Sequence, residues 1–325
     1  MRALFGESEL LLQETVRAIA ADLIPDTVGG LEDFDDAPLW EAVARGGLIG
    51  LGVPATAGGS GSVVDMSIVV RELARRTAPV PLVGATVAAH LIAGSGADAS
   101  DLILGRERAG IGLTADLSGL GSAIGFDTAG SPHAAAIGDS AVERLELSDA
   151  LDPFDLTREM ASLVAGGGER LGSLDHSAAR TRVDAVALIA VAADALGAMT
   201  GALEIAIGHA ATREQFGQPI GRFQAVQHLL SDAHVDVEGA RALVDHAAWS
   251  VDHEPAAVAL RAARIAKAYT AEHGKAVCER VVQVFGGMGM TWECRAHVFQ
   301  RRVMADRVVL GDERHHYRLL AEEAT

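Results

Sequence analysis

The apolar positions of this chain recur at two different spacings, and the changes between them divide it into three parts. From Ser8 to Ala21 the residues Leu11, Val16 and Ile19, with Leu23 just beyond, recur at the interval of an amphipathic helix. A second helix is expected over Leu39 to Gly46. A third is expected over Asp65 to Arg76, where Ile68, Val69, Leu73 and Ala74 form one stripe. Between them, Gly50-Leu51-Gly52-Val53-Pro54-Ala55-Thr56-Ala57-Gly58-Gly59-Ser60-Gly61 reads as a tight surface loop, because Pro and clustered Gly end regular structure.

From about Ala109 to Ala178 the apolar runs shorten. Ile111-Gly112-Leu113-Thr114, Ala134-Ala135-Ala136-Ile137 and Val142-Glu143-Arg144-Leu145-Glu146-Leu147 are separated by Gly, Ser, Asp and Pro, which suits short strands in a small β domain. Helical spacing returns near Arg182. Phe223, Val226, Leu230, Ala233, Val237, Ala240, Val244 and Ala247 then alternate steps of three and four without a break, a seam for helix–helix packing. Such a seam also suits a coiled-coil interaction module. Antiparallel neighbours over Val183 to Ala211 and Pro255 to Phe285, with short connections, favour an up-and-down bundle completed by a last helix after Ala296. The expected architecture is mainly α with a small β domain: an N-terminal helical unit over 1–108, a reduced β domain over 109–178 and a C-terminal four-helix bundle over 179–325.

Composition narrows the class. A chain of 325 residues can bury a large core, and its apolar share of 49% is dominated by Ala, Val and Leu, with only 4% aromatic, which favours closely packed helices. A formal charge of −17 argues against a nucleic-acid partner, since neutralising phosphates needs clustered Lys and Arg. No uninterrupted apolar run reaches transmembrane length, and Met1-Arg2-Ala3-Leu4-Phe5-Gly6-Glu7 lacks a signal-peptide layout, so a cytoplasmic protein without a membrane partner is expected. Cys278 and Cys294 have no metal-ligand spacing and read as two reduced thiols. No metal site is expected, because adjacent histidines such as His315 and His316 point in different directions on a helix, where they read as solvated.

Two motifs carry chemistry. In Thr212-Arg213-Glu214-Gln215-Phe216-Gly217-Gln218-Pro219-Ile220, followed by Phe223-Gln224, Arg213 offers a planar fork of donors suited to a pyrophosphate and Phe216 offers an aromatic face. A helix-capping Arg beside a core Phe is the plainer reading. In Gln283-Val284-Phe285-Gly286-Gly287-Met288-Gly289-Met290, glycines that tolerate positive φ end a long helix and expose backbone N–H groups.

These stretches resemble the "R-x-x-F-G-x-x-[IL]…Q" and "Q-x-[FLY]-G-G-x-G" signatures of flavin-dependent acyl-CoA dehydrogenases, and Gly50 to Gly61 resembles that family's "G-L-x-G-L-x-V-P…G-G-x-G" loop. The resemblance spans most of the chain and implies an acyl-CoA dehydrogenase-like fold, FAD as cofactor, an acyl-CoA substrate and an electron-transfer flavoprotein as acceptor. It also implies that Arg213, Gln215, Phe216, Gln224, Gln283, Val284, Phe285, Gly286 and Gly287 clamp the FAD of a neighbouring subunit.

What the resemblance lacks is equally ordered. The family places its proton-abstracting Glu before a late glycine or near the start of the first bundle helix. Here Leu310 precedes Gly311, and counting back from Phe216-Gly217 puts the other position near Ala187, with Leu188 beside it. The flavin-ring segment "[CY]-x-[TS]-E-P-x-x-G-S-D" survives only as fragments in Gly112-Leu113-Thr114-Ala115-Asp116-Leu117-Ser118-Gly119. Contacts to a partner's flavin are kept while the chain's own base and ring contacts are gone. That combination is similar to the degenerate subunit of split α2β2 dehydrogenases of the steroid side-chain type, whose ending resembles Leu310-Gly311-Asp312-Glu313-Arg314-His315. A self-sufficient homo-oligomeric dehydrogenase or related flavin oxidoreductase, with Asp184, Asp312 or Glu313 as a displaced base, is the first alternative; a carboxylate near the thioester serves if desolvation tunes it. For Asp184 the competing reading is a helix N-terminal Asp facing the dipole. A flavin-free scaffold subunit is the second alternative.

Overall fold

The computed structural model describes residues 5–138, 141–164, 166, 168–174 and 178–323; Met1 to Leu4 of the N-terminal stretch read above lie outside the described residues. The N-terminal unit contains α1 (Glu7–Leu23), α2 (Val28–Glu32), α3 (Ala37–Arg45), α4 (Val63–Ala74), α5 (Leu82–Gly94) and α6 (Ser100–Ile103). On α1, Val16 and Ala20 are buried whereas Leu11 faces solvent, so the buried stripe is narrower than the sequence suggests. Helix α4 starts two residues earlier than expected because Ser62 and Asp65 form a reciprocal capping box, with Asp65 N donating to Ser62 Oγ at 3.0 Å and Ser62 N to Asp65 Oδ2 at 2.9 Å. Periodicity misses α5 entirely. It is apolar all round and buried from Leu82 to Ile92, so it has no polar face to mark it.

The glycine-rich loop is shaped by close backbone approach. A Cβ on Gly59 would stand 2.1 Å from the Val53 carbonyl, and Leu51 bridges to Ser60.

Six strands follow: β1 (Gly110–Leu113), β2 (Ile124–Phe126), β3 (His133–Ile137), β4 (Val142–Leu151), β5 (Met160–Leu163) and β6 (Glu169–Gly172). Their order is β3-β1-β2-β5-β4-β6, and an additional β3–β4 pairing closes five of them into a small barrel with β6 on its edge. Among the described strands, only β1 and β3 pair in parallel. The interior is narrow: Ala134, Ala136, Leu145 and Leu163 form a satellite core, and a Cβ on Gly112 would collide with the Gly121 carbonyl and Ala136.

The bundle is built from α7 (Ala178–Thr212), α8 (Gln224–His253), α9 (Ala256–Phe285) and α10 (Ala296–Val308). The single helix expected after Ala296 is two, because the chain breaks at Val309–Asp312 before α11 (Glu313–Glu322). On α8 the seam is buried from Ala233 to Ala247 and only half-covered at Phe223, Val226 and Leu230. Helix α7 is long and apolar enough to cross a membrane, yet 94% of its apolar window is buried among the other helices, as in a core helix. Its small residues serve close packing. A Cβ on Gly197 would lie 2.2 Å from the Arg71 carbonyl of α4, and one on Gly201 would lie 2.1 Å from that of Arg75. Both cysteines are free and buried.

Candidate functional site

After α7 ends, Glu214–Gln215 pairs antiparallel with Gln218–Pro219 across a two-residue turn. Phe216 (φ 53°) and Gly217 (φ 79°) both occupy the left-handed region, as a type I′ turn requires. A phenylalanine held there costs on the order of 1 kcal/mol, and Phe216 is 93% exposed, so no burial offsets the strain. Its ring meets that of Phe223 edge-on at 6.0 Å. The competing reading of Phe216 as a core residue is therefore excluded.

The second motif reaches the same end of the bundle. Phe285, the last residue of α9, stacks on His209 of α7 with ring centroids 4.4 Å apart. Gly286 turns the chain out at φ 61°, where a non-glycine residue would be strained. Arg213, Gln215, Phe216, Gln224, Gln283, Gly286 and Gly287 are thus exposed around one end, while Val284 is buried and Phe285 half-buried beneath them. Among the described residues, the Arg213 guanidinium enters no hydrogen bond or ion pair. Burial and the nearby Arg213 charge both lower the His209 pKa.

The two positions where a base is missing also meet. Ala187 and Leu310 line one cavity of about 160 Å³ with Ser118, Arg180, Asp184 and His315. Leu310 is buried at φ 61°, held by polar neighbours on either side. Lys267 Nζ donates to the Arg307 carbonyl at 3.0 Å and also to the Gly311 carbonyl at 2.6 Å. His316 Nε2 lies 2.9 Å from the Leu310 carbonyl. His316 is therefore not solvated as expected; it is buried, because the first turn of α11 folds back on this loop. Burial, then the Lys267 charge, lowers its pKa to about 3. Lys267 is fully buried and its pKa falls to about 8, desolvation outweighing the neighbouring carboxylates.

The three substitute bases are engaged. Asp184 lies well inside α7 rather than at its start and pairs with Arg180 at 3.0 Å. Asp312 caps α11 by accepting from His315 N at 2.9 Å. Glu313 accepts from Arg307 Nε at 2.8 Å, a hydrogen bond that lowers its pKa.

The loop Thr114–Gly119 covers this cavity with its polar groups turned inward. Thr114 Oγ1, Ser118 N and Ser118 Oγ all donate to Asp116 Oδ1, at 2.7, 3.1 and 2.9 Å, and these bonds bring the Asp116 pKa down to about 2. The Leu117 carbonyl accepts from Gly311 N at 3.2 Å. Leu117 also borders an apolar cavity of about 310 Å³, whose walls include Phe126, Met160, Met304 and Val308.

Comparison with known proteins decides the family. A model of the acyl-CoA dehydrogenase C-terminal domain matches residues 185–325, and one of the N-terminal domain matches residues 6–100. The acyl-CoA dehydrogenase IpdE2 of Mycobacterium tuberculosis (strain ATCC 25618 / H37Rv) is 31% identical over 98% of this chain and 97% of that protein. The chain belongs to the acyl-CoA dehydrogenase family. IpdE2 of Mycolicibacterium smegmatis (strain ATCC 700084 / mc(2)155) is 29% identical over 98% of this chain and 99% of its own length. Among solved structures, the Tcur3481-Tcur3483 steroid ACAD G363A variant superposes with a TM-score of 0.85 at 26% identity, covering 98% of this chain and 97% of that one. The fold is that of the acyl-CoA dehydrogenases, helical with a small β domain, and FAD is the cofactor of this oxidoreductase family.

The two ends of this acyl-CoA dehydrogenase chain fit that cofactor differently. At the Arg213 end an unpaired guanidinium, an open aromatic face and exposed Gln side chains match a pyrophosphate and a planar ring. At the Leu310 end, the loop's hydroxyls and the Ser118 N–H are consumed within the loop, and the adjoining cavity is apolar. The side-chain hydroxyls of that loop are therefore not offered to a flavin ring's polar edge.

Sequence reasoning missed the buried polar residues that hold this end together: Lys267, His316 and a cluster around Arg158 and Asp194. Lys267 carried a signal, since it follows Ala259, Ala263 and Ala266 on the apolar stripe of α9. The pairing of Arg158 and Asp194 carried none, because the two are distant in sequence.

Proposed function

We propose that this chain is the non-base subunit of a heteromeric FAD-dependent acyl-CoA dehydrogenase that introduces an α,β double bond into an acyl-CoA thioester. The carrying observation is that Arg213, Phe216, Gln283 and Gly286 stand exposed at one end of the bundle while the chain's own base positions are a buried Leu310 and Ala187. Arg213 would pair with the pyrophosphate, Phe216 and Gln224 would flank the adenosine half, and the Gly286–Gly287 backbone would allow close approach. Gln215, Gln283, Val284 and Phe285 would shape the same clamp, Val284 through packing. Bound FAD supplies the acceptor for the substrate's β-hydride. The α-proton would go to a glutamate of the partner chain. An electron-transfer flavoprotein would then take the electrons. Units 1–108, 109–178 and 179–325 are the divisions on which this reading rests.

Membership of the family, the solved complex titled ChsE4-ChsE5 from Mycobacterium tuberculosis, which shares the fold, and the steroid ACAD neighbour support a partner chain and a fatty acyl or steroid side-chain substrate. Co-expression with a base-bearing dehydrogenase-like chain should give a yellow complex that bleaches with acyl-CoA, whereas this chain alone should be colourless. A yellow chain, purified alone and bleached by acyl-CoA, would overturn the reading.

A further inference from the structure

Where the strand layer meets the bundle, seven ionisable groups are buried together. Arg302 of α10 binds Asp194 of α7 bidentately, Nε to Oδ2 at 2.7 Å and Nη2 to Oδ1 at 2.8 Å, while its Nη1 reaches the Ala78 carbonyl and Thr157 Oγ1, both at 2.9 Å. Arg158, on the connection from β4 to β5, lies 2.7 Å from Asp194 Oδ2, 3.0 Å from Asp127 Oδ1, 3.4 Å from Asp155 Oδ2 and 3.8 Å from Asp306 Oδ1. Asp127 at the end of β2 also accepts from Gly84 N of α5 at 2.8 Å. Asp155 accepts from Thr157 N and Oγ1 at 2.9 and 2.7 Å. Lys267 of α9 is the remaining cation near Asp306. The N-terminal unit, the barrel and three bundle helices all touch this cluster.

The cluster is out of balance by one charge. Among the described residues, Asp127, Asp155, Asp194 and Asp306 face Arg158, Arg302 and Lys267, and all seven are buried. A net charge buried without a partner costs several kcal/mol, roughly, so such a site takes up a proton instead. The hydrogen bonds say where. Asp127, Asp155 and Asp194 each accept from an N–H or O–H donor, whereas neither oxygen of Asp306 has a donor among the described residues.

We propose that Asp306 is a carboxylic acid in the folded chain at neutral pH, that it donates its proton to Asp194, and that this shared proton latches the strand layer onto the bundle. Burial, then the Asp194 charge, pushes the Asp306 pKa well above the carboxylate range. Burial alone would raise Asp194 as well, but the Arg158 and Arg302 charges overcome it and hold that residue low. Asp127 is also raised, by burial. Loss of the Asp306 proton to water would place two carboxylates side by side between α7 and α10, beside the connection that carries Arg158. Repulsion would then open the seam.

The sign follows from the raised pKa. The folded chain holds a proton that the unfolded chain has released, so the latch contributes fully below the ordinary Asp pKa and is lost as pH rises through the folded value. A single such proton changes the folding equilibrium by about tenfold per pH unit. Thermal and denaturant melts of the full chain and of Asp306→Asn between pH 5 and 9 test this. As pH rises the wild type should lose stability relative to Asp306→Asn, which keeps a donor toward Asp194, by one proton's worth of slope. An unchanged slope in Asp306→Asn overturns the proposal. Infrared spectra supply a readout independent of the variant's folding. The wild type should show a protonated-carboxyl band at pH 7 that fades at alkaline pH together with amide protection at 156–160 and 303–308. Absence of the band, or its loss in Asp127→Asn but not in Asp306→Asn, overturns the assignment.

Discussion

The imidazole of His209 stacks on the ring of Phe285, centroids 4.4 Å apart and 22° from parallel, joining the C-terminal ends of α7 and α9. This contact ties the two signature stretches into one surface.

If that surface clamps a cofactor, Arg213→Ala should weaken flavin retention by the assembled complex about ten- to a hundredfold, the equivalent of one lost charge-assisted hydrogen bond. Stability of the isolated chain should move by less than about 0.5 kcal/mol, because Arg213 is exposed and unpaired. Flavin titration of the complex beside thermal melts of the chain separates the two effects.

Leu310→Glu restores the family's carboxylate at its expected place and should still give no acyl-CoA bleaching by the chain alone. The Thr114 and Ser118 hydroxyls are held by Asp116, so under the proposed reading the restored base would lack the flavin-ring contacts beside it. The new carboxylate would enter a cavity that Arg180 shares with Asp184, already its partner, and burying it there should cost about 1–3 kcal/mol. Stopped-flow absorbance and denaturant melts check both parts.

Acid should destabilise the fold through two neutral histidines. His90, whose pKa burial lowers to about 4, lies with Nε2 3.1 Å from the Leu51 carbonyl, and His316 is lowered to about 3. Both folded values lie below the unfolded one, so their contribution is complete above about pH 6.5 and fades as pH falls toward 4 and 3. Each costs up to about tenfold in the folding equilibrium per pH unit. The double variant His90→Gln, His316→Gln should flatten melts between pH 6 and 4.

Gly197→Ala should cost about 1–3 kcal/mol, since the added methyl meets the Arg71 backbone carbonyl and not a movable side chain. Gly208→Ala, on the same helix with open space around it, is the control and should be neutral or slightly stabilising.

Much of the fold was legible because amphipathic helices write their buried face into the sequence. The α8 seam and the three long bundle helices follow directly from that rule. Helix α5 does not, since a segment buried on every side loses the alternation that marks a helix. Strands β2, β5 and β6 are too short to signal themselves beside Gly and Ser. At the site, Arg213 and Phe216 were readable as a local motif. The meeting of Ala187 with Leu310, and of Leu117 with Gly311, depends on how distant segments fold together. The burial of His316 was misjudged for the same reason, because α11 packs back onto the loop before it.

Helix α7 links the two ends of the molecule as a rigid ruler. Ala187 lies in its first third and Thr212 is its last residue, which at 1.5 Å per residue puts them roughly 38 Å apart. Under the proposed reading, no bending of the hairpin that follows could bring Arg213 back to Leu310 in the same molecule. On that reading the clamp at Arg213 and the cavity at Leu310 serve two different FAD molecules, and α7 sets the distance between them.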